Sequence, residues 1–313
     1  MPMRNTTRPW RRRKDGLRLL RSFRSKGQAV HWAWKDGQLL PADEVTLNVR
    51  DGAILYGASL FETLRCYSGH PFRLEAHLRR LRYWLERLYL FAHSRDRVDL
   101  SFSTLRDATA RLLDACGLQE EDARLRITVT AGSERCPPSC FLVVDQITAE
   151  QRAQWQAGVQ AILLPDPRSA QAELPKWGSY AWHIEAQLQA RAHGAQEAIW
   201  VNREGYVTEG AISNVFIWHE ERLKTPPLQE GILAGITRQV VFEIAERLRI
   251  PCNEERIPAH ALHEAQAVLL TNSVREIVPV THLHGAPLAQ HPILAHLQQA
   301  YRQLVQEEQH RGQ

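Results

Sequence analysis

Two side chains carry the strongest chemical signal in this chain, a lysine at position 176 and a glutamate at position 209. Lys176 stands in Leu174-Pro175-Lys176-Trp177-Gly178, just ahead of an apolar-faced helical stretch. Glu209 stands in Val207-Thr208-Glu209-Gly210, which reads as a small-residue turn before a buried strand ending at Asn214-Val215-Phe216. A primary amine held by rigid elements can form an imine with an aldehyde and afterwards move protons. A carboxylate facing the same cavity can hold a proton on a heteroaromatic nitrogen and make that ring an electron sink. A third feature suits an anion, phosphate above all: Gly235-Ile236-Thr237-Arg238 opens a helix, where backbone N–H groups are free and a hydroxyl is at hand. Each feature has a plainer reading by itself, as a solvated loop lysine, a turn glutamate and an ordinary helix start. Together they meet the demands of one group, a pyridine bearing an aldehyde and a phosphate.

The elements around these residues follow from periodicity. Val30 to Trp34 alternates and meets a Lys35-Asp36-Gly37 turn, a hairpin signature, and Leu60 to Tyr67 reads as a strand turned back at Ser68-Gly69-His70-Pro71. From Glu75 to Leu88, Leu78, Leu81, Trp84, Leu85 and Leu88 recur at spacings of three and four, an amphipathic helix with arginines outside. Ser101 to Cys116 is a second helix stopped by Gly117. Ala123 to Thr130 alternates as a half-buried strand, with Cys140 to Val144 as its neighbour. Val159 to Leu164 and Ala267 to Leu270 read as buried strands, the latter running into the small donors Thr271-Asn272-Ser273, and His291 to Val305 as the terminal helix. Gln146 to Gln156 is polar without a strand period and reads as a linker. The expected division is a basic, disordered extension over 1–28, an N-terminal α/β domain over 29–150 and a C-terminal cofactor-binding domain over 151–313.

The chain resembles the fold-type IV, or class IV, pyridoxal-phosphate enzymes: branched-chain aminotransferases, D-amino-acid aminotransferases and aminodeoxychorismate lyases. The resemblance runs from about Trp32 to about Leu288 and rests on five markers in order. These are Tyr56-Gly57 through Leu60-Phe61-Glu62-Thr63-Leu64-Arg65, His77-Leu78 with Arg80-Leu81, Lys176, Gly205 through Glu209-Gly210 to Ser213-Asn214 and Phe216, and Gly235-Ile236-Thr237-Arg238 with Thr271-Asn272-Ser273. It implies a two-domain α/β (α+β) fold with pyridoxal 5'-phosphate at the domain interface, in a homodimer. By the same resemblance Lys176 links to the cofactor and shuttles the proton, Glu209 pairs with the ring nitrogen, and Arg80, Ile236 (through its backbone), Thr237 and Ser273 bind phosphate. Tyr56, Phe61, Thr63, Arg65 and Arg126 fall on the substrate side. Arg126 has an equal claim to be a surface strand residue, and Arg80 is singled out from Arg79 by the motif alone.

One departure concerns the tyrosine that branched-chain enzymes place five residues after the lysine, near the cofactor's phenolic oxygen. Here Tyr180 comes four after and position 181 is alanine. The segment Phe61 to Arg65 and Thr271-Asn272-Ser273 resemble the lyase branch, since branched-chain enzymes more often have glycine where Thr63 stands. The expected reaction is therefore conversion of aminodeoxychorismate to 4-aminobenzoate and pyruvate, with branched-chain or D-amino-acid transamination to 2-oxoglutarate as the alternative.

Composition bounds the rest. The 313 residues, 44% hydrophobic, suffice for a sizeable core. No apolar run approaches a membrane span and no signal-peptide core is evident. Cys66, Cys116, Cys136, Cys140 and Cys252 are odd in number and scattered, which argues against a disulfide framework and for a cytoplasmic setting. Cys136 and Cys140 lack a second Cys/His cluster and read as inert thiols, with no metal site. His77 reads as a packed helix residue rather than a base. The net charge of +4 comes from residues 1–26, which hold ten Lys or Arg against Asp15. Such a tail would suit a nucleic-acid or membrane-surface arm or a transit peptide, but nothing after residue 30 continues it. The expectation is a small amino-acid-like substrate as partner, with neither nucleic acid nor membrane.

Overall fold

Within the residues that the computed structural model describes, 31–92, 94, 97–168 and 174–311, the chain builds two β-sheets. The basic extension expected at 1–28 lies outside the described residues. The first sheet comprises β1 (Trp32–Lys35), β2 (Gln38–Pro41), β3 (Ser59–Tyr67), β4 (His70–Pro71), β5 (Ala123–Thr130) and β6 (Cys140–Gln146). Its order is β2-β1-β6-β5-β3-β4, every pairing antiparallel. The β1–β2 hairpin turns at Asp36 and Gly37, both at positive φ. A short helix, α1 (Gly52–Tyr56), precedes β3 and is capped by the Asp51 carboxylate, which accepts from Ala53 N at 2.8 Å.

Two helices cover one face of this sheet. α2 (Leu74–Arg87) buries Leu74, His77, Leu78, Leu81 and Leu85, the three-and-four spacing read from the sequence. α3 (Phe102–Ala115) is capped by Ser101 and followed by Gly117 at φ +66°. Their leucines meet Leu64, Leu125 and Ile127 from the strands in one apolar cluster. The stretch read as a linker is instead α4 (Ala149–Ala157), closed by a capping box between Thr148 and Gln151. No residue of α4 is buried, so its sequence carries no apolar period and hides the helix.

The second sheet comprises β7 (Val159–Pro165), β8 (Glu197–Val201), β9 (Tyr206–Gly210), β10 (Asn214–His219), β11 (Arg222–Thr225), β12 (Cys252–Glu254), β13 (Ile257–Pro258), β14 (Ala267–Asn272), β15 (Glu276–Leu283) and β16 (Ala286–Pro287). It runs β12-β11-β10-β14-β15-β7-β8-β9-β13, with β16 beside β15. The pairs β15–β7, β7–β8 and β11–β12 are parallel. Four helices accompany it: α5 (Ala181–Ala192), α6 (Ile236–Leu248), α7 (Ala261–Glu264) and α8 (Ile293–Arg311). α6 and α8 bury Val241, Ile244, Leu297 and Tyr301 against Phe216, Trp218 and Leu269.

α5 departs from expectation. It buries only Ala186, Gln187 and Ala190, while Trp182 and Ile184 are exposed. The mixed α/β class read from the sequence is the class observed. Among the described residues no helix is long and apolar enough to cross a membrane, and all five cysteines are free thiols.

Candidate active site

The backbone around Lys176 is stitched to β3. Phe61 N donates to Lys176 O at 3.0 Å and Gly178 N donates to Ser59 O at 2.6 Å. Glycine at 178 suits the closeness: a Cβ there would sit 1.8 Å from Ser59 Oγ, which would have to rotate away, and 3.2 Å from Ser59 O. Lys176 Nζ lies 4.9 Å from the Phe61 ring centre and 5.9 Å from that of Tyr180. Among the described residues no carboxylate lies within ion-pair distance of it. Burial, reinforced by the nearby Arg80 charge, lowers its pKa to about 8. A substantial neutral fraction near pH 7 is what a nucleophilic amine requires.

Glu209 sits within β9 rather than in the expected turn: the strand, buried from Val207 onward, runs through Thr208-Glu209-Gly210 despite the small residues. It is 5% exposed. Its Oε1 accepts from Arg168 Nη1 at 2.7 Å, and its Oε2 from Leu233 N at 3.0 Å and, more weakly, from Asn214 Nδ2 at 3.4 Å. Burial pushes its pKa up and Arg168 opposes that push. A carboxylate has about four acceptor positions, so Oε1 keeps room for a further donor.

Sequence reasoning missed Arg168. Its guanidinium is held by both Asp166 oxygens at 2.9 Å and lies 4.2 Å from the Trp200 ring centre. The signal was Asp166-Pro167-Arg168 at the end of a buried strand, a place from which a side chain reaches the site above the sheet.

An anion cradle lies at the start of α6. Arg80 is oriented by Glu62, with Nε donating to Oε1 at 2.8 Å and Nη2 to Oε2 at 2.6 Å, and its Nη1 donates to Ala234 O. His77 Nδ1 lies 2.7 Å from the same Glu62 carboxylate, so His77 is a buried support for that pair. Burial raises the Glu62 pKa, but Arg80 and His77 outweigh it and hold the carboxyl at about 2. Arg79, its neighbour, is exposed. Gly235 caps α6 without any side-chain hydrogen bond, which leaves the first N–H groups open. Thr237 Oγ1 and Ser273 Oγ stand 3.3 Å apart beside them. Arg80 keeps one free N–H on each terminal nitrogen, so the cradle fits a phosphate.

The remaining expectations divide. Arg126 is half-buried: its guanidinium carbon lies 3.6 Å from the Phe61 ring centre, and burial lowers its pKa to about 10. It has no carboxylate within ion-pair distance among the described residues. Thr63 faces Arg126 across the β3–β5 pairing and is the one residue of β3 that is not fully buried. Tyr180 packs edge-on against Phe61 at 5.2 Å. Arg65 must be corrected. It donates to Asp122 at 2.6 Å, to Glu276 at 2.8 Å and to Val274 O at 3.3 Å, a clamp between β3 and β15 that leaves it unavailable to a substrate. Tyr56 is 76% exposed and is not packed into the cluster, because it ends a short helix on the outer surface.

Residues 59–283 match the family model described as amino-transferase class IV. A putative branched-chain-amino-acid aminotransferase of Methanocaldococcus jannaschii is 30% identical over 270 residues, covering 80% of this chain and 87% of its own. The aminodeoxychorismate lyase of Bacillus subtilis is 29% identical over 255 residues, covering 79% and 84%. The branched-chain aminotransferase of Thermoproteus uzoniensis, crystallised with norvaline, superposes with a TM-score of 0.77 at 28% identity over 88% of this chain and 94% of that one. An amine without an ion-pair partner, a buried acid with acceptor room and an open phosphate cradle match the pyridoxal phosphate that such enzymes use, and the chain belongs to the class IV aminotransferase family.

Proposed function

We propose that this enzyme acts on the amine of a small substrate bearing a carboxylate, and that the reaction is elimination from aminodeoxychorismate, giving 4-aminobenzoate and pyruvate. In this reading Lys176 binds the cofactor aldehyde and Glu209, paired with Arg168, holds the ring nitrogen. Arg80, the backbone at Ile236, Thr237 and Ser273 hold the phosphate. The bound cofactor supplies the electron sink that lets a proton leave the carbon next to the substrate amine. Lys176 Nζ takes that proton, Phe61 and Tyr180 wall the site against water, and Arg126 orients the substrate carboxylate.

The choice of elimination rests on Thr63. It is the one partly accessible position of β3, and its neighbour Arg126 is a cation without a carboxylate. A hydroxyl beside that cation suits proton delivery to a departing enolpyruvyl fragment. The second reading, amino transfer to 2-oxoglutarate from a branched-chain or D-amino acid, draws support from the branched-chain relatives.

Purified enzyme supplied with aminodeoxychorismate, and separately with leucine or D-alanine plus 2-oxoglutarate, separates them. Release of 4-aminobenzoate, lost in Thr63→Val, is the expected result. Amino exchange without that release reverses the order.

A homodimer belongs to the same proposal. Ile54, Leu55 and Tyr56 of α1 are exposed beside Gly57, whose carbonyl accepts from Ser179 Oγ at 3.2 Å, and Trp182 and Ile184 are exposed just beyond. An apolar rim next to Lys176 suits cover by a second copy. Light scattering on wild type and on Trp182→Glu checks it: a monomeric wild type overturns the dimer.

A further inference from the structure

His183 has no part in the site as read from the sequence, yet it touches the one aromatic whose place in the motif departs from that of the branched-chain enzymes. Its imidazole stacks on the Tyr180 phenol with ring centres 4.0 Å apart and planes 4° from parallel. Its Nδ1 lies 2.6 Å from Ala211 O, and Trp200 packs edge-on at 4.8 Å. A carbonyl oxygen accepts, so Nδ1 carries the hydrogen and the tautomer is set. The ring is thus fixed by a hydrogen bond in its plane and by aromatic contacts on its face and edge.

The Tyr180 hydroxyl is held far more loosely. Its nearest acceptor is the same Ala211 carbonyl, at 3.4 Å, a distance at which a hydroxyl bond is weak. His183 has the shorter bond to that oxygen, and the length of the Tyr180 contact leaves the phenol proton available to a closer acceptor. Burial pushes the Tyr180 pKa up, which keeps the hydroxyl a donor, and burial pushes that of His183 down to about 4, which keeps the imidazole neutral against the phenol.

We propose that His183 is a positioning residue for Tyr180. By stacking on the phenol and occupying the Ala211 carbonyl it presents the hydroxyl as the donor for the cofactor's phenolic oxygen. The inference rests on the cofactor reading given above. It explains how a tyrosine four residues after the lysine serves: α5 begins at Ala181, so His183 lies three residues on, in the first turn, and faces back onto residue 180.

The test uses the holoenzyme without substrate and reads the pH midpoint of the absorption band of the lysine-bound cofactor. A donor to the phenolic oxygen weakens that oxygen's hold on the neighbouring imine proton, so losing the donor raises the midpoint. Tyr180→Phe is expected to raise it by about one unit, the worth of one ordinary hydrogen bond. His183→Ala is expected to reproduce most of that shift, and the double variant to add nothing further. His183→Phe, which keeps the stack and frees the carbonyl, falls between and serves if the alanine variant does not fold. A His183→Ala midpoint equal to wild type, or a double variant that sums the two shifts, overturns the proposal. Absence of any such band in the wild type overturns the cofactor reading instead.

Discussion

The Arg168 guanidinium donates to Glu209 Oε1 across 2.7 Å while the two Asp166 oxygens hold it from the other side. Glu209 is therefore the buried acid of a three-charge chain rather than an isolated carboxylate, and its ionisation depends on a residue 41 positions away. Arg168→Met leaves that charge buried and unpaired. Such losses cost about 3–5 kcal/mol or are relieved by protonation. Cofactor titration is expected to show affinity falling by at least tenfold in Arg168→Met, with most of the loss remaining in Arg168→Lys, since a lysine cannot reproduce the fork. Unchanged affinity in both variants would remove Arg168 from the site.

Lys176 gives a pH prediction. A pKa lowered from 10.5 to about 8 leaves the amine protonated below that value and reactive above it. At pH 7 roughly a tenth is neutral, against about 0.03% for an ordinary lysine. Cofactor capture by the apoenzyme should accelerate with rising pH and level off above about 8. Arg80→Leu removes a repelling cation and should move the midpoint upward, though the phosphate site is weakened as well. Stopped-flow absorbance measures both.

Glu62 links stability to acidity. Its carboxyl is held at about 2 against an ordinary 4.5, so its contribution is complete above 4.5 and disappears as the pH falls toward 2. The shift corresponds to about 3 kcal/mol. Urea unfolding at pH 5 and pH 3 should show a steeper acid loss for wild type than for Glu62→Gln, with the variant already weaker at pH 7. Parallel acid profiles would contradict the assignment.

Two glycines at positive φ should respond differently to alanine. At Gly132 (φ +64°) a Cβ would come within 2.6 Å of Pro138 N and 2.7 Å of Cys136 O, backbone atoms that cannot step aside. At Gly194 (φ +75°) it meets nothing within 4 Å. Gly194→Ala should cost about 1 kcal/mol, from backbone strain alone, and Gly132→Ala several times more. Thermal denaturation of the pair decides it, and equal losses would contradict the steric account.

Much of this was legible before any coordinates. α2 announced itself because its buried positions, Leu78, Leu81 and Leu85, follow the helical period, and β5 because Leu125, Ile127 and Val129 alternate. Lys176 and Glu209 were legible as an amine and an acid flanking rigid elements. The failures share a physical cause. α4 has no fully buried residue and rests on the core through Trp155 alone, so it writes no period, and its capping residues Thr148 and Gln151 were the overlooked sign. Arg65 and Arg126 lie on the same strand pair, and only tertiary contacts distinguish a cation clamped by Asp122 and Glu276 from one left open over Phe61. Arg168 and His183 act on residues remote from them or one turn away, through contacts that no local pattern encodes.

The hydrogen bonds from Phe61 N and Gly178 N graft the lysine loop onto a strand made more than a hundred residues earlier. By chain order the amine belongs with Glu209, yet its height and tilt are dictated by the opposite sheet. A polypeptide cut between α4 and β7 would therefore yield one piece carrying the nucleophile and another carrying its mould, and neither alone could hold the amine at its working distance from the acid.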